Sequence, residues 1–346
     1  MTIESTSPET QRTPPIHSMR QEYGDFAELA ETVHGWGLDW LQLDRGPLDA
    51  AIQQTATPTS LLTRFRFSRK FHQRGTTPPG VRTFGFIGER SPGVEWRGAT
   101  GSSTHILAFP VDDLFEVVSQ PGFYGDTVSI AEDRLRSVAD FAGLPDPLVG
   151  MPNGLAFIET DPGRIIALRN AISTLHATAT AHARGLPDAR VFSDLELGVV
   201  SALVAALQLR RPAAVTSSEP ALRARAIRSA LDYLETHADE PPTVREICRV
   251  AGVSWRTLDY AFRDRFGVTP KRYLQAFRLQ QVRHAIINAN PSRAISELAA
   301  HWGFWHMGQF AKDYRRQFGE LPSETVRRDR KATQESVRHI DPSPRI

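Results

Sequence analysis

Two short sets of side chains carry the chemistry in this 346-residue chain. The first is Arg256, Asp259 and Tyr260, with Trp255 and Thr257 beside them. The second is Met307, Gln309 and Lys312, with Gly308 and Ala311 between them. Arginine suits guanine bidentately and aspartate can accept from cytosine, because each base pair shows a distinct donor and acceptor pattern in the major groove of DNA. Lys271, Arg272, Arg315 and Arg316 are candidate phosphate contacts, which position a protein on a duplex without reading its sequence. For any single one of these cations, the competing reading is an ordinary solvated charge.

Other chemistries find less support. His72 and His105 lie in the N-terminal half with no His-x-His pair, and His301 and His306 have no Cys or carboxylate spacing that would complete a zinc site. The chain has one cysteine, Cys248, which excludes an internal disulfide framework and suits a reducing compartment. Gly-rich phosphate loops, Gly-x-Ser-x-Gly and His-Glu-x-x-His are all missing from the sequence. The expectation is therefore no enzyme, no metal and no cofactor.

The elements that must hold the two reading sets repeat. Leu258, Phe262 and Phe266 recur every four residues, as do Phe310, Tyr314 and Phe318, so each triplet lines one helical face. Leu258 and Phe310 are 52 positions apart, and so are Phe262 and Tyr314, Phe266 and Phe318, Gly267 and Gly319, and Pro270 and Pro322. Gly252 and Gly303 are 51 apart. This register predicts a tandem duplication of one helix-turn-helix unit, over 243–267 and 294–319. Thr243 and Glu246 predict a capping box, and Ser254 a cap for the next helix. Pro270–Ile287 reads as a rigid strut between the units. Two recognition helices on such a strut would enter successive major grooves about one turn apart, roughly 34 Å.

The second unit resembles the signature of AraC/XylS-type bacterial transcription regulators: Ala299-x-x-x-Gly303-Phe304, Phe310-x-x-x-Tyr314, then Phe318-Gly319-x-x-Pro322-Ser323. The run Gly303–Phe310 is similar to the subgroup that includes the ethanolamine-utilisation regulator. The resemblance is specific over roughly 222–330; Tyr273 and Arg278–Leu279 match its linker helix, and the six reading residues match its base-reading positions. It implies an α+β chain: an N-terminal cupin-like β-barrel sensory domain with helices, then an all-α tandem helix-turn-helix domain. It further implies an activator that meets double-stranded promoter DNA and RNA polymerase, responds to a small-molecule effector and can form a homodimer. The family also includes a repair protein with a methyl-accepting cysteine, but Cys248 aligns with Ala299 on an inward helix face and reads as core. A metal-binding cupin would need a convergent ligand set that His72 and His105 do not supply.

Charge divides the chain in the same way. The formal net charge is +2, yet residues 222–331 carry 20 Lys and Arg against 12 Asp and Glu, a net of +8, whereas residues 1–221 net −6. Only the second part is suited to a polyanion. Residues 1–18, rich in Ser, Thr and Pro, are expected to be a disordered tail without the features of a signal peptide. Residues 19–210 are expected to form the effector and dimerisation domain, 211–221 a linker, 222–330 the DNA-binding domain and 331–346 a flexible tail. Within 19–210, residues 22–34 suggest a short helix. Trp40–Leu43, Leu61–Phe67, Arg82–Ile87 and His105–Phe109 suggest strands between Gly/Pro turns. Asp112–Val118 and Ile130–Ala142 suggest short helices. Longer helices are expected over Gly163–His182 and Asp194–Leu209, the second apolar nearly all round and so buried against the barrel or a second subunit. Trp40, Phe86 and Trp96 are candidate effector contacts; the competing reading is aromatic core. No apolar run approaches the roughly 20 residues of a membrane span, so a cytoplasmic protein without membrane contact is expected. Two alternatives stay open: a cupin-type enzyme tethered to DNA, and a non-specific architectural DNA binder.

Overall fold

The computed structural model describes residues 17–24, 29, 33, 35–96, 99–181, 189–208, 210–212, 220–237, 241–288 and 294–329. Its N-terminal part is built from two antiparallel sheets facing one another. The larger takes strands in the order β1-β3-β4-β11-β6-β9-β12-β13 and the smaller β2-β5-β10-β7-β8. In chain order these are β1 (His17–Tyr23), β2 (Gly37–Gln42), β3 (Ala50–Ala56), β4 (Ser60–Phe67), β5 (Phe71–Thr76), β6 (Arg82–Ile87), β7 (Val94–Trp96), β8 (Ala99–Gly101), β9 (His105–Ala108), β10 (Phe115–Ser119), β11 (Phe123–Ile130), β12 (Ala156–Glu159) and β13 (Arg211–Pro212). Three helices follow or interleave: α1 (Glu132–Phe141), α2 (Pro162–Ala181) and α3 (Ala189–Gln208).

The expected closed, cupin-like barrel is corrected by this topology. Among the described residues, β1 pairs only with β3 and β2 only with β5, so each sheet ends in an open edge. At the far edge β13 ends on Pro212, which has no N–H to extend a ladder. The outer face of the larger sheet is closed by helices instead: Leu62, Phe84, Ile106 and Val128 pack against Leu168, Ile172, Val200 and Leu203 of α2 and α3. α3 therefore puts its apolar side into the core of its own chain, although Arg190–Gln208 has the length and mean hydropathy of a span, and Leu197 stays exposed.

Two further expectations change. Asp112–Val118 is not helical: Asp112 is left-handed at φ 51°, and Phe115 and Val117 alternate with Glu116 in β10, paired to β5 and β7. β1 begins at His17 and includes Glu22 and Tyr23, so strand replaces the end of the expected tail and the start of the expected helix over 22–34. Residues 1–16, 213–219 and 330–346, which hold most of the expected tails and linker, lie outside the described residues, as does much of 25–34.

The C-terminal part is helical: α4 (Ala221–Thr236), α5 (Val244–Ala251), α6 (Trp255–Phe266), α7 (Pro270–Asn288), α8 (Ile295–His301), α9 (Met307–Phe318) and α10 (residues 322–329). It has two cores. Leu279, Val282, Leu298, Ala299, Trp302, Phe310, Tyr314 and Phe318 form the second. The first joins α4–α7 but also takes in Leu41 and Val118 from the smaller sheet and Leu43 just after β2. The two parts of the chain thus share one hydrophobic core, and burying those three side chains couples them at about 25 cal/mol per Å² of apolar surface removed from water.

Candidate nucleic-acid interface

Each reading set sits at the start of the second helix of a helix-turn-helix pair. In the first pair, Thr243 Oγ1 accepts from the Glu246 amide at 3.2 Å and Glu246 Oε2 accepts from the Thr243 amide at 2.7 Å, the full capping box. Gly252 turns the chain at φ 63°, and Ser254 Oγ accepts from the Thr257 amide at 3.2 Å to start α6. The second pair has the same turn at Gly303 (φ 80°) but no side-chain caps at Ala294 or His306. Both second helices end on a left-handed glycine, Gly267 at φ 70° and Gly319 at φ 83°, as their 52-residue spacing requires.

With Leu258, Phe262 and Phe266 buried, α6 turns Trp255, Arg256, Tyr260 and Arg263 outward. Tyr260 lies between two guanidiniums, Arg223 at 5.3 Å and Arg256 at 5.7 Å from its ring, and its hydroxyl accepts from Arg256 at 3.3 Å. Asp259 is more withdrawn: Oδ2 accepts from Arg263 Nε at 2.8 Å and Oδ1 is buried. On α9, Gln309, Lys312, Arg315 and Arg316 are exposed, Gly308 faces open space, and Met307 is half-buried against the second core. Lys271 is exposed at the start of α7. Arg272 is turned inward, its guanidinium donating to Gln317 Oε1, and burial pulls its pKa down to about 10. Two exposed tryptophans flank the reading helices, Trp255 at 62% and Trp305 at 74% exposure. Trp305 and Arg223 were not among the expected reading residues; Trp305 precedes the helix and Arg223 reaches in from α4, so helical spacing could not single them out.

Residues 247–328 match the sequence profile of the family described as "Helix-turn-helix domain". The chain is 40% identical over 130 residues to the "Probable thc operon regulatory protein" of Rhodococcus erythropolis, covering 37% of this chain and 39% of that protein. It is 31% identical over 115 residues to "XylDLEGF operon transcriptional activator 3" of Pseudomonas putida, covering 33% of this chain and 35% of that one. The chain thus spans about two fifths of the length of these relatives. A solved structure of a "probable AraC family transcriptional regulator" from Rhodopseudomonas palustris is 32% identical, with 30% of this chain and 96% of that chain covered at a TM-score of 0.28. Residues 247–328 form a helix-turn-helix domain. The matches do not single out the ethanolamine-regulator subgroup.

The helix-turn-helix domain is gripped by the smaller sheet at the C-terminal ends of both second helices. At the first, Glu116 of β10 faces Arg265 Nε at 3.4 Å and His72 Nε2 at 3.3 Å, while His72 Nδ1 lies 2.9 Å from the Tyr273 hydroxyl. Burial alone would raise the Glu116 carboxyl; His72, with Arg265 and Arg74 behind it, overcomes this and holds it at about 2. At the second, Gln42 and Gln317 are hydrogen-bonded to each other's backbone. Sequence spacing carries no signal for the contacts of His72 with Tyr273 and of Gln42 with Gln317, whose partners lie 201 and 275 positions apart.

Between the two sheets lies an apolar cavity of about 50 Å³, walled by Trp36, Trp40, Phe65, Phe109 and Phe115, with Gln73 and Asp126 at its margin. The indole N–H of Trp36 is buried there without an acceptor among the described residues. Of the expected effector contacts, Trp40 lines this cavity. Phe86 touches it but belongs to the core beneath the helices. Trp96 stands edge-on to Phe157 with centroids 6.3 Å apart and is not part of the wall. His72 and His105 are separated by their partners, the one on Tyr273, the other on Ser102. Among the described residues, no group of three or more His, Cys, Asp or Glu is placed to hold a metal ion.

Proposed function

We propose that the chain is a sequence-specific DNA-binding transcriptional regulator, an activator whose N-terminal part senses a small molecule. One observation carries this reading. The outward faces of two repeat-related helices are exposed and polar, and the polar contacts of the smaller sheet with them, Glu116 to Arg265 and Gln42 to Gln317, fall at their far ends. In this reading Arg256, Tyr260, Gln309 and Lys312 meet base edges, with Met307 and Asp259 supporting them from half-buried positions. Lys271, Arg315 and Arg316 meet phosphates. Arg272 contributes charge from behind. The names of the relatives, an operon regulator and an operon activator, support positive control at a promoter; an encounter with RNA polymerase, a cytoplasmic location and a homodimer are further parts of this reading.

The cavity suits a small apolar or aromatic effector with one hydrogen-bond acceptor for the Trp36 N–H, since a buried donor without a partner costs about 1–3 kcal/mol. Selection of bound sequences from random duplex DNA with the full chain tests the reading. The expected result is a site read in two patches about one helical turn apart, roughly 34 Å. Gln309→Ala then relaxes choice in one patch by about 1–3 kcal/mol, whereas Arg315→Ala weakens all sequences alike. Binding without any sequence enrichment, set only by salt, would instead identify an architectural DNA binder.

A further inference from the structure

One stripe of α6 is built differently from its repeat. Arg256, Tyr260 and Asp264 follow one another at intervals of four, so they run up one side of that helix. Arg223, in the first turn of α4, lies across this stripe: it donates to Asp264 Oδ2, and its guanidinium carbon is 5.3 Å from the centre of the Tyr260 ring. Tyr260 in turn holds Arg256, whose guanidinium carbon is 5.7 Å from the ring centre and whose Nη2 donates to the hydroxyl at 3.3 Å. The other arginines of α6 are committed to carboxylates, Arg263 to Asp259 at 2.8 Å and Arg265 to Glu116 at 3.4 Å. Arg256 pairs with no carboxylate among the described residues, so its charge is free for DNA. In the second unit the positions 52 residues on hold Gly308, Lys312 and Arg316, which offer no ring to stack on.

We propose that Arg223 is a positioning residue for base readout in the first unit, and that the base read there is guanine. Its own charge is balanced by Asp264, so its role is to fix the Tyr260 ring and, through the ring, the Arg256 guanidinium. A guanidinium carries five N–H donors in a planar fork. Tyr260 takes one of those of Arg256, and the rest suffice for the two acceptors on the major-groove edge of a guanine. Held in advance, this long side chain loses less freedom on binding. The proposal rests on the reading of α6 as a base-reading helix given above, and it adds a residue from outside the helix-turn-helix pair. It also sets the two units apart. In the second, Lys312 is a point charge on a flexible stem with no ring to hold it, so the patch read by α6 is the more selective of the two.

Selection of bound sequences from random duplex DNA by the full chain tests this, with each patch scored separately. Arg223→Met removes the guanidinium and keeps an unbranched side chain. The expected result is a loss of about fivefold or more in the preference for guanine in the first patch, with the second patch as in the parent chain and affinity for random duplex within about twofold. In a Tyr260→Ala background, where the ring is gone, Arg223→Met is expected to change nothing further. Asp264→Asn releases Arg223 without removing it, is expected to act in the same direction, and carries the test if Arg223→Met does not fold. Equal weakening on selected and random DNA, with a shallower salt dependence, would make Arg223 a phosphate contact and overturn the proposal. So would a first patch without guanine in the parent chain, a first patch that Arg223→Met leaves unchanged, or a loss that persists in the Tyr260→Ala background. If the parent chain enriches no sequence, the DNA-binding reading fails and the proposal with it; that failure shows in the parent alone, before any variant is compared.

Discussion

Gln42 and Gln317 hold each other's backbone: Gln42 Nε2 donates to the Gln317 carbonyl at 3.0 Å, and Gln317 Nε2 donates to the Gln42 carbonyl at 2.9 Å. Both side chains are buried, at 2% and 1% exposure, so replacing either one leaves the other residue's carbonyl without that donor and away from water. Gln317→Leu is therefore expected to destabilise the chain by about 1–3 kcal/mol, the cost of stranding buried polar groups. Gln42→Leu should cost a similar amount. Because the two act on one contact, the double variant should fall short of the sum by about 0.5 kcal/mol or more. Urea unfolding of the four proteins checks this, and strict additivity would mean that the pair does not act as a unit.

Two glycines on the same helix should respond with opposite sign. Gly319 is left-handed, and a Cβ there would lie 2.7 Å from Pro47 Cβ, so Gly319→Ala is expected to destabilise by about 1–3 kcal/mol. Gly308, in the first turn of α9, has open space around it, so Gly308→Ala is expected to stabilise by up to about 1 kcal/mol. Thermal melts give both signs. If Gly308→Ala also weakens binding to the selected DNA site, close approach of the backbone to the duplex is the reason for that glycine.

Acid should weaken the fold, first through His176. Burial, with Arg64 second, lowers its pKa from 6.5 to about 3. Asp126 lies 4.0 Å away but is engaged by Arg64 at 2.7 Å, so it does not reverse this. Between those pH values the unfolded chain binds a proton that the folded chain does not. Stability is then full above pH 6.5 and falls toward pH 3, with a slope approaching about 1.4 kcal/mol per pH unit. Glu116, held at about 2 against an ordinary 4.5, adds its loss only between pH 4.5 and 2. Unfolding free energies from pH 7 to 5 should thus slope in the parent chain and flatten in His176→Gln.

The capping box should be felt locally. Thr243→Ala removes the acceptor for the Glu246 amide and is expected to cost about 1 kcal/mol, with faster amide exchange at the start of α5. Ser254→Ala should do the same for α6. No change in exchange in either helix would mean that tertiary packing alone sets where it starts.

The duplicated helical units, the caps of the first unit, the inward aromatic stripes and the outward polar faces were legible in the sequence. Each depends on residues within one or two helical turns, and the 52-residue register repeats the pattern in full. Strands such as β4 and β6 were legible for the same reason, because period-two alternation is local. The tertiary structure decided what local pattern cannot encode. Asp112–Val118 became turn and strand because β5 and β7 offer β10 a ladder. The two sheets stayed open because helices and the DNA-binding domain cover faces that closure would otherwise have had to protect. Arg272 turned inward because α9 brings Gln317 beside it from 45 positions away. The joining of cavity, sheet and reading helices rests on pairs such as His72 with Tyr273 and Gln42 with Gln317. Their proximity comes from packing two parts of the chain on one core, and no spacing in the sequence records it.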